Sequence, residues 1–573
     1  MYLYNTFISG ISADSRLAKK NHAFFLCANN NIELYQRYSY ILDSLKKGVA
    51  LIVVDNQTPL DNFYTYCLDM LNTQNIDDKE LIDELGGVTQ GSLSISSIKN
   101  RISNKIVIVS NVFDALCDAL NEIYPNAPRY CVGVTGTNGK SSVVDYYRQL
   151  MFLCGYNTAS IGTLGVITNT HNMNNDNTND SVLYDDVTSL TTLSLIDNQR
   201  VLHRLYNMDI QNIAMEVSSH GLSQKRVNNI KYDVVVITNI THDHLDYHGS
   251  FREYVRAKFK IILHHAKAHG VLVITHEFIE QYFTKAEKYL KDDEIILLHK
   301  NMSLFRKCII INEKDYIIKS QNSLYYQEVL KTNNDSTTSI LSFNILSSTI
   351  DGQKVQICYE DRFYTFKTGL IGKFQICNML MSIASAVSNT EDLVNIQDIT
   401  KYIPYIKCVP GRLERVSDND LRISKDNIEK KIFVDYAHTP DALKTVLSEL
   451  RKIIDAQNTS SKLILVFGCG GNRDLEKRGK MGKIASNIAD IVVVTDDNPR
   501  FESPKDIRSN IMKYCNGINI EGRAKAIEYA IGIMKDGDIL LVAGKGHETY
   551  QVINGTIYHF SDKYEILKVL DKC

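Results

Sequence analysis

Apolar and polar positions follow two periodicities along this chain, and their balance changes from one third of the sequence to the next. In the C-terminal third, short continuous apolar runs predict strands, and longer stretches with helical spacing of apolar residues predict helices. The predicted strands are Lys431–Asp435, Lys462–Phe467, Ile491–Thr495 and Asp538–Val542, and the predicted helices are Pro440–Ala456, Lys477–Ala489, Pro504–Tyr514 and Gly522–Met534. This alternation is typical of a parallel, doubly wound sheet, in which ligands bind at the carboxyl ends of the strands.

The central third carries apolar runs such as Asp233–Thr238, which are typical of strands buried on both faces. We predict strands here at Cys131–Thr135, Ile213–Val217, Asp233–Ile240, Val271–Thr275 and Glu294–Leu298. Residues 300–370 alternate apolar and polar positions, which indicates antiparallel hairpins. Residues 168–180 include six asparagines and few apolar side chains, so a mobile surface loop is expected there.

The N-terminal part has short strand-like runs at Val49–Val54 and Lys105–Val109, with a helical pattern at Tyr35–Lys47. This pattern predicts a small α/β domain, and Pro125–Pro128 is a plausible linker. The fold class is therefore α/β. The chain is too long for one core, and its patterns divide it into three predicted domains, 1–128, 129–407 and 408–573.

The most informative stretch for chemistry runs from Tyr130 to Tyr147, where an apolar strand enters a glycine loop that opens a helix at Lys140-Ser141. Backbone N–H groups and a helix N-terminus suit a phosphate, with the lysine on the outer phosphates and the serine hydroxyl on magnesium. The spacing departs from the common P-loop because Val134 stands where the first glycine belongs. A chance glycine loop without a nucleotide is the alternative.

Composition excludes several classes of function. The net charge of −2 and the lack of a basic stripe give no basis for nucleic-acid binding. The twelve cysteines are scattered, as in a protein with reduced thiols. The N-terminus does not resemble a signal peptide, and no apolar run is long enough to span a bilayer, so we expect a cytoplasmic protein.

Two polar loops follow central strands, Glu216-Val-Ser-Ser-His220 and Thr241-His-Asp-His-Leu-Asp246. If these strands neighbour the glycine loop, Glu216 and His244 could complete a magnesium site with Ser141, although a histidine ligand is unusual for that metal. A zinc fragment lacks further ligands at usable spacing, and a simple polar turn is the remaining interpretation.

Other side chains have competing interpretations on the residues alone. Lys258 would be an ordinary solvated helix lysine. Arg473 and Arg500 lie on strand-end loops, where guanidinium groups could bind carboxylates, and surface salt bridges are the alternative.

Several motifs coincide, in order and spacing, with those of the Mur ligase family. The matching stretches are Gly136–Ser141, Met215–His220 with Gln224 and Arg226, Asn239–Gly249, Pro410–Glu414, Asp435–Asp441, Gly468–Asp474, Asp496–Arg500 and Gly544–Glu548. The chain resembles this family from about residue 10 to its C-terminus, and most closely its MurE type. Eight motifs in order make the resemblance specific.

The resemblance implies an N-terminal domain for a uridine nucleotide, a central P-loop ATPase and a C-terminal Rossmann-like domain for an amino acid. It implies that ATP and Mg²⁺ convert the D-glutamate γ-carboxylate of UDP-MurNAc-L-Ala-D-Glu to an acyl phosphate, which an amino acid then attacks, in peptidoglycan precursor synthesis. The implied catalytic residues are Lys140, Glu216, His244 and Lys258. The implied ATP-binding residues are Gly136, Thr137, Asn138, Gly139, Lys140, Ser141, Ser142, Asn378 and Arg412. The magnesium environment would comprise Ser141, Glu216, His244 and Lys258, the last as a carbamate.

The resemblance also implies two substrate sites. Residues that match the uridine-nucleotide site are Ser15, Thr191, Thr192, Ser218, Gln224 and Arg226. Residues that match the diaminopimelate pocket are Arg473, Asp497, Asn498, Pro499, Arg500, Gly544 and Glu548. Arg500 favours diaminopimelate, whose second amino-acid head has a carboxylate, over lysine, whose ammonium it would repel.

The sequence departs from the family pattern at a few places. Ala28–Glu33 stands where a loop containing glycine and aspartate is usual, Gln375 replaces an asparagine, and Gly522 replaces an aspartate. The alternatives are a lysine-adding member, a folylpolyglutamate synthetase-like ligase and, least favoured, a nucleotide-binding scaffold without activity. We expect a monomer whose partners are small molecules, without nucleic acid or membrane.

Overall fold

The computed structural model describes residues 1–27, 32–73, 94–171, 181–182, 190–313, 337–388, 394–416, 430–457 and 460–571. The chain divides into two compact units. The first comprises Met1–Ala127, Ser194–Met208 and Val227–Asn229, and the second comprises Pro128–Leu193, Asp209–Arg226 and Ile230–Cys573. Two later segments therefore belong to the first unit. None of the helices in the described ranges is long and apolar enough to cross a membrane.

The first unit is a small α/β structure, as its apolar runs predict. The hairpin strands are β1 (Tyr2–Leu3) and β2 (Thr6–Phe7), and the parallel sheet is formed in order by β3 (Gly10–Ser12), β4 (His22–Phe25), β5 (Leu51–Asp55) and β6 (Ile106–Val109). Its helices are Leu34–Lys46, Leu60–Thr73, Ile95–Ile102, Val112–Ile123 and Leu195–Asn207. Apolar side chains fill the space on both faces of the sheet, because the strands alternate between two cores.

The second unit begins with a sheet to which the described residues contribute eleven strands. Its strands are β7 (Tyr130–Thr135), β8 (Thr158–Gly162), β9 (Gly165–Asn169), β10 (Ser181–Val182), β11 (Asn212–Glu216), β12 (Tyr232–Ile237), β13 (Ala266–Thr275), β14 (Lys307–Glu313), β15 (Thr337–Thr349), β16 (Gly352–Tyr359) and β17 (Arg362–Thr368). They lie in the order β10-β9-β8-β11-β7-β12-β13-β14-β15-β16-β17. Strand β7 pairs in parallel with β11 and β12, so the loops after these three strands meet at one edge of the sheet.

Helices cover this sheet, and their bounds are Lys140–Leu153, Ser219–Ser223, Leu245–His248, Phe251–Lys260, Asp292–Met302, Lys373–Val387 and Ile396–Tyr402. Strand β16 pairs antiparallel with β15 and β17, which confirms the predicted hairpins for residues 337–368. The same prediction is wrong for β14, which pairs in parallel with β13 and β15. Of the asparagine-rich segment, residues 172–180 lie outside the described residues.

The predicted strand Glu294–Leu298 is wrong, because these residues belong to the helix Asp292–Met302. The Glu294 carboxylate accepts a hydrogen bond from the Lys291 N–H at 3.0 Å and caps the helix. Within the apolar run, Ile296 is 71% exposed whereas Leu298 is 1% exposed, as expected for opposite sides of a helix. A short apolar run does not distinguish a buried strand from a helix.

The C-terminal sheet has the predicted doubly wound character. Its strands lie in the order β18 (Arg412–Val416), β19 (Lys431–Asp435), β23 (Ile539–Ala543), β20 (Leu463–Phe467), β21 (Ile491–Val494) and β22 (Ile518–Asn519), followed in the chain by the hairpin β24 (Tyr550–Ile553) and β25 (Thr556–His559). The helices are Pro440–Ala456, Glu476–Ile488, Pro504–Met512, Arg523–Gly532 and Asp562–Leu570. Within the described six strands of this sheet, the pairs are parallel except β18 with β19, so the loops after β19, β20, β21 and β23 open at one edge.

Candidate active site

The glycine loop joins β7 to the helix Lys140–Leu153 with a backbone that only small residues permit. A Cβ on Gly136 would lie 1.8 Å from the Thr238 hydroxyl oxygen, and a Cβ on Gly139 would lie 2.5 Å from Asn378 Oδ1. Gly139 also has a φ of 87°, in the left-handed region that favours glycine. The Asn378 side chain therefore lies against the glycine loop.

The strand beside the loop holds it in place through backbone and side-chain hydrogen bonds. The Thr137 N–H donates to the Asn239 carbonyl at 2.8 Å, and the Asn138 N–H donates to Asn239 Oδ1 at 2.9 Å. The Thr137 hydroxyl lies 2.8 Å from the Tyr254 hydroxyl. The Asn239 contacts arise because β12 neighbours β7, and the Tyr254 contact adds the helix Phe251–Lys260 to the support of the loop.

Two lysines converge on the same carbonyl of this loop. Lys140 Nζ donates to the carbonyls of Gly136 at 3.0 Å and Thr137 at 2.9 Å, and Lys258 Nζ donates to that of Gly136 at 2.7 Å. Lys258 is 1% exposed and its Nζ lies 4.7 Å from the centre of the Tyr254 ring. Burial and the neighbouring Lys140 ammonium lower the pKa of Lys258 well below its usual value. Lys258 is therefore not the solvated helix lysine that its local sequence suggests.

Glu216 ends β11 and His244 lies in the loop after β12, the two strands on either side of β7. The Glu216 carboxylate is 3% exposed and accepts hydrogen bonds from the Thr163 N–H at 2.8 Å and hydroxyl at 3.2 Å. His244 has a left-handed φ of 51° and its Nε2 lies 3.3 Å from Asp243 Oδ2. Burial lowers the pKa of His244, and the Asp243 carboxylate partly opposes this effect.

The donors at this edge fit a magnesium ion that is held together with phosphates. Within the described ranges, no group of three or more His, Cys, Asp or Glu side chains is arranged to hold a metal by itself. Magnesium usually takes one or two carboxylates together with substrate phosphates and waters, so a closed protein cage is not required. The Glu216 carboxylate and the Ser141 hydroxyl are hard oxygen donors of the right kind.

Arg412 connects the phosphate loop to the C-terminal sheet. Its Nη2 donates to the Ser141 hydroxyl at 3.3 Å, and its guanidinium carbon lies 4.5 Å from the centre of the Tyr436 ring. The substituted residue Gln375 supports this arrangement, because its amide donates to the Arg412 carbonyl at 2.7 Å and accepts from the Tyr146 hydroxyl at 2.8 Å. Although Gln375 departs from the family pattern, it connects Tyr146, on the helix Lys140–Leu153, to Arg412. Ser142 is buried in the first turn of the same helix.

A second set of polar side chains lies beside Glu216. The Thr192 hydroxyl donates to the Glu216 carbonyl at 3.0 Å, and the Arg226 Nη1 donates to the Thr192 carbonyl at 2.9 Å. The residues predicted to bind the nucleotide substrate that lie together here are Thr191, Thr192, Ser218, Gln224 and Arg226. Ser15 lies in the first unit, buried at the start of a short 3₁₀ helix, and its carbonyl accepts from Lys47 Nζ at 2.7 Å.

A cavity of about 340 Å³ lies where the loop after β12 faces the loops of the C-terminal sheet. Residues that line it include most of the predicted amino-acid pocket, namely Arg473, Asp497, Asn498, Arg500, Gly544 and Glu548. His244 lines the same cavity. Pro499 follows Asn498 in the chain, and its carbonyl accepts a hydrogen bond from the Glu502 N–H at 3.0 Å. The cavity therefore joins residues that are far apart in sequence.

Arg500 is held in an uncommon backbone conformation. Its φ is 56°, its N–H donates to the Val552 carbonyl at 3.0 Å, and its Nη1 donates to the Gly471 carbonyl at 2.8 Å. These bonds position the guanidinium from both ends. Arg473 is half exposed, with its Nη1 3.7 Å from Asp246 Oδ2, so its side chain is less constrained.

A buried lysine organises the acidic side of the cavity. Lys545 is fully buried, and its Nζ donates to Glu548 Oε2 at 3.0 Å and Asn498 Oδ1 at 3.1 Å. Asn498 Nδ2 donates to the same Glu548 oxygen at 3.0 Å. Burial raises the pKa of Glu548 although Lys545 opposes this. Burial by itself would also raise the pKa of Asp497, but Lys545 and Arg523 lower it.

Several residues of the site were absent from the predicted set. They are Asp243, Tyr254, Tyr436, His438 and Lys545. All but Tyr254 lie within a matched motif, and a polar residue in a strand-end loop was the available signal for them. Tyr254 lies on the helix Phe251–Lys260, where no such signal exists. Their partners come from other strands, so spacing along the chain did not reveal them.

The central sheet, which carries the glycine loop, and the C-terminal doubly wound sheet face each other across a polar cavity. This arrangement defines an α/β enzyme built around a phosphate-binding loop. The model of the Mur ligase middle domain matches residues 134–291, and that of the Mur ligase, glutamate ligase domain matches residues 411–546. The UDP-N-acetylmuramoyl-L-alanyl-D-glutamate--2,6-diaminopimelate ligase of Rickettsia bellii is 34% identical over 559 residues, 97% of this chain and 94% of that protein. The chain belongs to the Mur ligase family, whose members are ATP-dependent ligases that use Mg²⁺.

Further comparisons agree with this assignment. The protein of the same name from Caulobacter vibrioides is 34% identical over 492 residues, 85% of this chain and 89% of its own length. A solved structure of a ligase of that name has a TM-score of 0.55 at 22% identity, covering 99% of this chain and 95% of its own. Mycobacterium tuberculosis folylpolyglutamate synthase reaches a TM-score of 0.50 at 17% identity, covering 75% and 92%. At these identities the structures show the fold alone.

Proposed function

We propose that the protein adds meso-2,6-diaminopimelate to the D-glutamate γ-carboxylate of UDP-MurNAc-L-Ala-D-Glu, at the expense of ATP. The observation that carries this proposal is that His244, Arg500 and Glu548 line one and the same cavity. A phosphate-activated carboxylate and an amino acid with a carboxylate and an ammonium would meet there. The curated relatives named for this reaction cover nearly the whole chain.

In the first half of the reaction, the N–H groups of Gly136 to Gly139 and the Lys140 ammonium would hold the ATP phosphates. The γ-phosphoryl group passes to the substrate carboxylate, giving an acyl phosphate and ADP. Two anions approach each other, and Lys140 and Arg412 stabilise the charge that accumulates between them. When bound with the phosphates near Ser141, Glu216 and His244, Mg²⁺ would add Lewis-acid stabilisation.

Lys258 has a further proposed role as a carbamate. Its lowered pKa supports this, because an uncharged amine is the form that reacts with carbon dioxide. The product is a carboxylate, which would face Lys140 and the magnesium environment in place of a second buried cation.

In the second half, the amino acid would be recognised through its distal head. Arg500 pairs with the carboxylate and Glu548 with the ammonium, and Asp497, Asn498, Pro499 and Gly544 shape the pocket. Lysine offers only an ammonium to Arg500, which disfavours it. Thr191, Thr192, Ser218, Gln224 and Arg226, with Ser15 in the first unit, would hold the nucleotide substrate.

The proposed domains are 1–128 for the uridine nucleotide, 129–407 for ATP and 408–573 for the amino acid. We propose a cytoplasmic monomer that acts in peptidoglycan precursor synthesis without binding nucleic acid or membrane. The central test supplies the protein with ATP, Mg²⁺ and UDP-MurNAc-L-Ala-D-Glu, and then with one amino acid at a time. ADP and phosphate release and the product mass should appear with meso-diaminopimelate and not with lysine. Turnover with lysine would contradict the specificity.

Two controls address the alternatives. Folate-dependent ATP hydrolysis would favour a folylpolyglutamate synthetase-like activity, which is supported only by the similarity in fold. The variant Lys140→Ala should lose turnover while remaining folded, whereas a scaffold protein would be indifferent to it.

A further inference from the structure

His438 lies in the loop after β19, at the boundary between the phosphate side and the amino-acid side of the cavity. Strand β19 pairs with β18, which begins at Arg412, and with β23, which leads to Gly544. His438 itself lines the cavity together with Asp243, Arg500 and Glu548. The roles proposed for ATP, Mg²⁺ and the two substrates do not use this side chain.

One hydrogen bond determines the tautomer of the His438 ring. Its Nδ1 lies 2.8 Å from the Tyr436 carbonyl oxygen. A carbonyl only accepts hydrogen bonds, so Nδ1 carries the proton, and the neutral ring has its lone pair on Nε2. No described residue hydrogen-bonds to Nε2.

The reaction requires an acceptor of this kind. An amino acid arrives as an ammonium, which has no lone pair until a proton leaves. Four of the five carboxylates that line the cavity already accept hydrogen bonds from the protein: Glu548 from Lys545, Asp243 from the His244 N–H, Asp497 from the Asn498 N–H and Asp474 from the Glu476 N–H. The fifth, Asp246, is exposed, and its Oδ2 lies 3.7 Å from Arg473 Nη1. His242 is exposed and its ring stacks on Phe251 with centroids 4.3 Å apart.

We propose that His438 is the general base that accepts a proton from the attacking ammonium through Nε2. The amine nitrogen then forms a bond to the acyl carbon, and the C–O bond to the phosphoryl group breaks with its electron pair leaving on phosphate. That phosphate takes the second proton lost by the amine. The imidazolium returns the first proton to solvent, so atoms and charges balance. This inference rests on the proposed function.

The charges around His438 are compatible with this role. Burial lowers its pKa, Asp243 opposes that effect, and Lys477 and Arg412 add to it. The ring is therefore neutral near pH 7 and able to accept a proton. The Lys477 ammonium donates to the His438 carbonyl at 3.4 Å, which helps to fix the loop.

The test separates activation of the carboxylate from attack by the amine. His438→Gln, His438→Ala and the exposed-residue control His559→Gln are assayed with ATP, Mg²⁺ and UDP-MurNAc-L-Ala-D-Glu. The nucleophile is either meso-diaminopimelate or hydroxylamine, which is neutral at neutral pH and needs no base. We expect amide formation to fall about 10²–10⁴-fold in both His438 variants, while hydroxamate formation stays within about twofold of wild type. His559→Gln should behave as wild type.

Two further measurements are diagnostic. The acidic limb of the kcat/KM profile for diaminopimelate should disappear in His438→Gln, and added imidazole should restore part of the amide formation in His438→Ala. Equal losses of hydroxamate and amide would overturn the proposal, as would normal amide formation or a larger loss in His242→Gln. If wild type itself forms no hydroxamate, the proposed function fails instead.

Discussion

Replacement of Lys545 by methionine tests the organisation of the amino-acid pocket. The change keeps a long side chain but removes a fully buried ammonium that contacts Glu548 Oε2 at 3.0 Å and Asn498 Oδ1 at 3.1 Å. At an effective dielectric constant of about 20, the gross attraction between the two charges is about 5 kcal/mol. Breaking a buried pair costs about 3–5 kcal/mol, and the partly accessible Glu548 carboxylate places the expectation near the lower value.

We expect this loss to be shared between folding and diaminopimelate binding. Urea unfolding at pH 7 should show lower stability, and KM for diaminopimelate should rise while the KM for ATP is unchanged. If the whole of about 3 kcal/mol falls on binding, affinity drops about 150-fold. Without Lys545 the pKa of Glu548 should rise further, so the low-pH loss of affinity should begin at a higher pH.

The matched control is Lys480→Met, on an exposed helix position where Lys480 pairs with Glu476 at 3.2 Å. Its stability should change by less than about 0.5 kcal/mol. A Lys545→Met protein with wild-type stability and wild-type KM for diaminopimelate would refute the reasoning, because Glu548 would then not depend on its buried partner.

Three other predictions concern the loop and the core. Gly136→Ala should abolish ATP turnover with little change in circular dichroism, since a Cβ there would lie 1.8 Å from the Thr238 hydroxyl oxygen. The control Gly369→Ala should have nearly wild-type activity, because a Cβ at that position meets nothing within 4 Å. A fully active Gly136→Ala protein would contradict the steric argument. Burial raises the pKa of Asp435 to about 6, so wild-type stability should fall as pH rises from 3.8 to about 6. In the Asp435→Asn variant, this pH-dependent decrease in the free energy of unfolding should be smaller by at most about 3 kcal/mol. If the urea midpoint of the variant changes with pH as that of wild type does, the prediction is wrong. Asp562→Asn breaks the fully buried pair with Arg523, at 2.6 and 2.7 Å, and should cost about 3–5 kcal/mol in unfolding experiments; a loss below about 1 kcal/mol would show that the pair is dispensable.

Local patterns predicted most of the secondary structure. The helix Pro440–Ala456 and the strand Lys431–Asp435 have the expected bounds, because Pro440 starts the helix after the Thr439 cap and a purely apolar run suits a strand inside a parallel sheet. The exception, Glu294–Leu298, shows the limit of such patterns. Its helix is decided by the cap at Lys291 and by the pairing of Glu294 with Arg256 at 2.7 Å, a partner 38 residues away.

The family, the glycine loop and the residues in the strand-end loops could be read from the sequence, because they depend on residue type and order. Which of these residues act on one another depends on how the strands pack together in the folded chain. Lys258 shows this most clearly, since nothing in Tyr254–Phe259 distinguishes it from a solvated lysine, whereas packing beside the Gly136 carbonyl and Lys140 buries it and lowers its pKa. The strand order β11-β7-β12 brings these groups together, and burial then changes their chemistry.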